Sequence, residues 1–192
     1  MDNIKIRKAT EEDREAISFV YADAFSKDWD QLSTDIRKVK SAIMNGLILE
    51  NYIVAIYNEK VVAFLALVID EKRSFKINLK DFKREFGFFK GYMIGMAMKS
   101  EMENQIPLEE NSAYIDIIGV CKEFQHKGIA SFLIEHVFKN YNYSTYSISV
   151  TNINHNAIKC YEKKGFVEYK RETVKYAKQR GFSEYIFLKY TK

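Results

Sequence analysis

Cysteine is nearly absent from this chain: Cys121 and Cys160 are the only two in 192 residues. They make no metal-ligand spacing and no disulfide framework, so both read as small core residues, no metal is expected, and a reducing cytoplasm is the expected compartment. Proline is rarer still, with Pro107 alone. No Ser/Gly/Pro-rich linker, repeat or low-complexity tract interrupts the sequence, which predicts a single domain over residues 1–192. No run reaches the ~18 apolar residues of a membrane span, and the start of the chain lacks a signal core; no membrane partner is expected. Charge is close to balanced, 30 Lys and Arg against 26 Asp and Glu for a net +4, too weak an excess to argue for nucleic acid. The basic residues beyond Glu168 read as a solvated strand face. The three histidines, His126, His136 and His155, are scattered and make no catalytic set. What the chain does have is apolar content, 47% of its residues, enough for one well-buried core.

The most informative segment runs from Ile115 to Ala130. An apolar strand enters a short polar loop, Gln125-His-Lys-Gly-Ile-Ala130, which opens into a helix with Ile129, Phe132, Leu133 and Val137 on one face. Amides at such a helix start converge near the positive end of its dipole, a setting suited to a pyrophosphate. Gly128 permits close backbone approach and Ala130 keeps a side chain out of the way. Downstream, a strand ends at Asn152-Ile-Asn154, and a helix follows with Ala157, Ile158 and Tyr161 on one face. Gly165 stops that helix and Phe166 begins the next strand.

The pair of segments resembles the GNAT superfamily of N-acetyltransferases. In that family the first loop reads Arg/Gln-x-x-Gly-x-Gly/Ala, and the second segment Asn-x-x-Ala-x-x-x-Tyr-Glu-x-x-Gly-Phe; Gln125–Ala130 and Asn154–Phe166 fit both. Gln125 stands where Arg is commoner, and Lys122 where Pro is usual. The resemblance implies an α/β GNAT fold: a mixed, mostly antiparallel twisted sheet, splayed between its fourth and fifth strands and flanked by helices. It implies acetyl-CoA as cosubstrate, held by Gln125, His126, Lys127, Gly128, Ile129, Ala130 and Ser131 at the pyrophosphate. Ile118, Gly119 and Val120 would hold the pantetheine arm along the splayed strand, together with Asn154 and Tyr161. Lys163 and Lys164 are candidates for the 3′-phosphate.

Periodicity supplies the rest of the layout. Ile4 and Ile6 alternate with Lys5 and Arg7 in a half-buried strand. Thr10-x-x-Asp13 reads as a capping-box variant, and Ile17, Val20, Tyr21, Ala24 and Phe25 as a buried helical stripe. A second helix is predicted from about Leu32 to Asn45. Strands over Tyr52–Tyr57 and Val61–Ile69 should join at Asn58-Glu59. Further strands are predicted at Ala113–Cys121 and Tyr146–Thr151, with a closing antiparallel pair over Phe166–Tyr176 and Phe182–Tyr190. Residues 71–112 depart from a minimal core. Leu79, Phe82, Phe86 and Phe89 have helical spacing, Gly87, Gly91 and Gly95 recur every four residues, and Met93, Met96, Met98 and Met102 follow. A helical insertion between the third and fourth strands is predicted, either a loosely packed cover or a mobile wall of the acceptor pocket.

Acetyl transfer to an amine needs a polarised thioester carbonyl, a neutral amine and a proton for the departing thiolate. Backbone amides at Ile118, Gly119 and Val120 can polarise the carbonyl. Tyr161, a phenol protonated at neutral pH, is the candidate acid. Strand alternation puts Tyr114, Asp116, Ile118 and Val120 on one face. Asp116, a charge on an apolar strand, is then either the base or the partner of a basic residue. Phe25 and Trp29, with Asp116, are the candidate substrate-binding residues. Glu101, Glu103, Glu109 and Glu110 lie in the segment leading back to that strand, so a cationic acceptor is one expectation. The reading is of a small-molecule amine acceptor and a monomer or homodimer. A protein N-terminal or lysine acetyltransferase, and a non-catalytic CoA-binding protein, are the alternatives.

Overall fold

The computed structural model describes residues 3–29, 33–70, 73–106 and 108–192. Seven strands form one sheet: β1 (Ile4–Lys8), β2 (Tyr52–Tyr57), β3 (Lys60–Val68), β4 (Ser112–Val120), β5 (Thr145–Thr151), β6 (Val167–Thr173) and β7 (Glu184–Thr191). Their spatial order is β1-β2-β3-β4-β5-β7-β6. Every pairing is antiparallel except β4 with β5. The β2–β3 turn is as predicted: Asn58 and Glu59 both have positive φ, 46° and 63°, the backbone of a two-residue hairpin whose twist matches its strands.

Helices cover both faces of the sheet. On one face α6 (Ile129–Asn140) and α7 (His155–Lys163) bury Leu133, Ile134, Val137 and Tyr161 against Ile115, Tyr146, Ile148 and Leu188. On the other lie α1 (Arg14–Ala24), α2 (Ser26–Trp29), α3 (Ile36–Met44), α4 (Leu79–Phe86) and α5 (Phe88–Met102). There Ile17, Val20, Ile43, Phe82 and Ile94 pack on Val54, Phe64 and Ala66. A short α8 (Ala177–Arg180) joins β6 to β7. Thr10 and Asp13 form the expected capping box before α1, and Arg7 holds the Asp13 carboxyl below the usual carboxylate range. The predicted second helix is α3, capped by Asp35; Leu32, its expected start, lies outside the described residues, as do Glu71 at the start of the insertion and Pro107 within it.

The insertion is two helices rather than one. Gly87 adopts φ 85°, ψ 161°, a conformation essentially confined to glycine, so it breaks the helix instead of belonging to its small-residue face. Gly91 and Gly95 do make that face. A Cβ on Gly91 would lie 2.2 Å from the Phe82 carbonyl oxygen, and one on Gly95 2.7 Å from Leu79. α4 and α5 therefore pack backbone to backbone as an antiparallel hairpin.

Tyr21, Tyr52 and Tyr161 are buried, and in each, desolvation foremost pushes the phenol above its ordinary value near 10. The unfolded chain then gives up these protons first as pH rises, so the stability held below pH ~10 is lost above it, by up to ~1.4 kcal/mol per pH unit for each tyrosine. Urea midpoints taken from pH 8 to 11 should stay level and then fall, together with the appearance of tyrosinate absorbance. A flat midpoint through pH 11 would mean that these phenols ionise in the folded protein.

Candidate active site

β4 and β5 pair only from Ser112↔Thr145 to Ile115↔Ile148. Beyond that point β4 continues beside β3 to Val120, and β5 beside β7 to Thr151. Residues 116–120 thus carry one strand partner instead of two, and the sheet opens between β4 and β5. The opening begins at a bulge. Ala66 pairs with Ile117 and Leu67 with Ile115, so Asp116 is the extra residue. This corrects the predicted alternation. Ile118 and Val120 pack with the α6/α7 face, while Ile117 joins the other core, because a bulge shifts side-chain phase by one residue.

Gly119 answers to a packing need. A Cβ there would lie 2.6 Å from the ring of Phe64, the cross-strand partner of Gly119 and fully buried. The missing side chain makes room for that ring, and the mid-strand bulge sits three residues earlier.

At the end of β4 the chain makes a single 3-10 turn over Lys122–Phe124. The Gln125 side chain donates from Nε2 to the Val120 carbonyl, 3.1 Å, tying the loop to the strand end. His126 and Gly128 then both take positive φ, 61° and 77°. Alternating backbone of this kind turns successive amides toward one concavity. Among the described residues, none of the amides from His126 to Ser131 donates to a protein acceptor; the first bond of α6 is Phe132 N–H to the Gly128 carbonyl. Six consecutive donors at a helix start form an anion cradle. Six of the seven residues expected at the pyrophosphate contribute these amides; the Gln125 N–H donates instead to the Lys122 carbonyl, 3.2 Å. A diphosphate group fits this donor set.

α7 borders the opening on the same side. Asn154 caps it, Oδ1 accepting from Ala157 N–H at 3.2 Å, which leaves its amide nitrogen for another partner. Tyr161 is 8% exposed and rests against Phe166 with centroids 6.1 Å apart. Cys160 Sγ lies 3.3 Å from Ser131 Oγ, joining the two helices; Cys121 is buried, and burial pushes its thiol up to about 11, so both are free and structural in placement. Lys164 is engaged by Glu135; Lys163 is exposed.

Across the sheet, Asp116 meets partners the sequence did not reveal. Its carboxylate is 2% exposed, with Oδ1 2.6 Å from Arg73 Nη2. Oδ2 accepts from Ser74 N–H at 2.9 Å and Ser74 Oγ at 2.6 Å. Tyr114 and Ser149 share a 2.7 Å hydrogen bond that ties β4 to β5 where they part. Trp29 is 4% exposed and stacked on Phe86, a core position; Phe25 is half-buried beside Tyr21. The acidic residues are largely balanced inside the fold. Glu101 binds Arg180 and Tyr185, and Glu103 accepts from Ile77 N–H and lies 3.9 Å from Lys99. The case for a cationic acceptor then rests on Glu109, Glu110 and Asp28, whose carboxyl is raised by desolvation and secondarily by Glu101. Among the described residues no cluster of His, Cys, Asp and Glu could hold a metal.

The sequence profile of the Acetyltransferase (GNAT) family matches residues 14–166, which includes the opened strand, the amide cradle and Tyr161. The chain belongs to this family. Solved structures agree in fold at low identity. An N-acetyltransferase from Staphylococcus aureus Mu50 superposes with a TM-score of 0.62 at 15% identity, over 97% of this chain and 100% of that one. The ribosomal-protein-S18-alanine N-acetyltransferase of Escherichia coli gives 0.59 at 17%, over 98% and 93%. An IAA acetyltransferase from Bacillus cereus ATCC 14579 gives 0.56 at 16%, over 99% and 100%. No curated protein matches the chain in sequence. The splayed, helix-flanked sheet is thus a GNAT fold, and the chain is a GNAT acetyltransferase.

Proposed function

We propose that this GNAT protein transfers an acetyl group from acetyl-CoA to the primary amine of a small molecule, by direct attack within a ternary complex. The observation that carries the proposal is the run of six unpartnered amides, His126 to Ser131, beside the opening of β4 from β5. Acetyl-CoA would supply the activated thioester. The chain's part is to bind its diphosphate on those amides and its pantetheine arm along Ile118, Gly119, Val120 and Asn154. A β4 amide at the opening would polarise the carbonyl, an oxyanion-hole role worth roughly 3 kcal/mol. Tyr161 would protonate the departing thiolate. Asp116, buried and held by Arg73 and Ser74, would act as the structural partner of a basic residue rather than as the base, and the amine would lose its proton to solvent before attack. Phe25 borders the acceptor side. The two inserted helices would wall that side, a reading that favours a small acceptor over a polypeptide.

Two measurements test this reading. Gly128→Asp adds a charge and a side chain where φ is +77°; CoA affinity by calorimetry should fall about 10²-fold, with the fold intact by circular dichroism. Unchanged affinity would place the diphosphate elsewhere. A thiol-release screen of acetyl-CoA against small amines and free-N-terminus peptides should show turnover with a small amine. Turnover confined to peptides would replace the small-molecule reading with a protein acceptor, and CoA binding without turnover would make the protein a binder.

A further inference from the structure

α5 is apolar over most of its first two and a half turns, Lys90 excepted, and only one side of it is covered by the fold. Gly91, Ile94 and Gly95 are buried. The opposite side presents Phe88, Phe89, Tyr92, Met93 and Met96, exposed by 67, 82, 45, 72 and 42%. Their positions make one continuous stripe of two turns. Five large side chains at these exposures present on the order of 500 Å² of apolar surface, at the upper end of what a monomer leaves bare. An apolar stripe of this size on a helix normally faces a covering surface.

A second feature lies on the same hairpin. A cleft of about 420 Å³ opens at the start of α4, lined by Lys76, Lys80, Lys99, Asn45 and Asn78 with no carboxylate in its wall. Lys83, one turn beyond Lys80, places its ammonium 4.8 Å from the Phe88 ring and 4.9 Å from the Tyr92 ring. The carboxylates of α4 do not offset these cations, since Asp81 and Glu85 are both taken by Arg84. Lys76, Lys80 and Lys83 form no ion pair among the described residues. A basic row therefore runs beside the aromatic stripe.

We propose that the α4–α5 hairpin docks on an anionic lipid bilayer surface, the stripe entering the headgroup boundary and the lysine row facing the phosphates. Charge selects this occupant. Two copies meeting stripe to stripe would bring their lysine rows together, whereas an anionic surface neutralises the row and receives the apolar residues at once. Fifteen helical residues span ~22 Å, too short to cross the ~30 Å hydrocarbon layer, so α5 would lie in the plane of the surface. The sequence expectation of no membrane partner followed from the lack of a spanning run, which a surface contact does not need.

The test is flotation of the full chain with vesicles of phosphatidylcholine, alone or mixed with phosphatidylglycerol. Binding is expected to the mixed vesicles, weakened by salt and at least ~10-fold lower on neutral ones. Phe89→Asp/Met93→Asp should lower the partition coefficient ~10-fold or more, and Lys80→Gln/Lys83→Gln about fivefold per lysine. Phe89, Met93 and Lys80 face solvent, and Lys83 is half-buried over two exposed rings, so circular dichroism should not move and the thermal midpoint should move by no more than a few degrees. Failure to float, flotation indifferent to both variants, or a dimer by sedimentation that Phe89→Asp/Met93→Asp dissociates and that does not float, would each overturn the proposal.

Discussion

Replacing Arg73 by methionine should destabilise the protein by about 3–5 kcal/mol, the cost of stranding a buried carboxylate. Asp116 is 2% exposed and its Oδ1 faces only Arg73, because Ser74 serves the other oxygen. For a chain of this length the loss corresponds to a fall of roughly 10 °C in thermal midpoint. A second substitution separates the missing charge pair from the missing bulk. Arg73→Met/Asp116→Leu removes both charges and keeps apolar volume, so urea unfolding should recover most of the loss, as buried pairs exchanged for apolar residues commonly do. If Arg73→Met cost less than about 1 kcal/mol, or if the double variant were as unstable as the single, Asp116 would have to be solvated in the folded protein.

That pair also marks the boundary of what could be read from the sequence. The α6/α7 side of the sheet is built from local pieces. Strand, loop and helix follow one another from Ile115 to Val137, and Gly128 sits at its left-handed position eight residues beyond the strand end. Asn154, Tyr161 and Gly165 belong to a single helix and its two ends. Short-range pattern specifies such units, and the family resemblance rested on them. The acceptor side is assembled from residues far apart in the chain. Arg73 and Ser74 reach Asp116 from about forty positions away, and Glu101 meets Tyr185 from a different element altogether. No periodicity encodes those meetings. The bulge at Asp116 is invisible for a related reason: an extra residue in one strand is defined only by its partner strand, so strict alternation put Ile118 on the wrong face. Gly119 is legible only with Phe64 beside it, and Gly87 looked like a face residue because its spacing matched that of Gly91 and Gly95, while its backbone angle, which no spacing reports, breaks the helix.

Tyr161→Phe should lower kcat about 10²-fold and leave CoA affinity and stability nearly unchanged. The variant keeps the ring that rests on Phe166 and loses only the hydroxyl, so its effect should fall on the proton and not on packing. kcat and kcat/KM should drop together, the pattern of an interaction made in the transition state alone. The pH dependence gives a further check. Desolvation, aided by the neighbouring Cys160 and Tyr114, raises the Tyr161 phenol above its ordinary value near 10. The parent enzyme should therefore show no alkaline loss of rate from this group between pH 7 and about 10, and should speed up or level off as the acceptor amine loses its proton. The Phe variant should run parallel to it at the lower rate, since the missing donor is absent at every pH. Single-turnover measurements keep product release from masking the step. A single-turnover rate equal to the parent's across that range would remove Tyr161 from proton transfer and leave it a packing residue between α7 and the sheet.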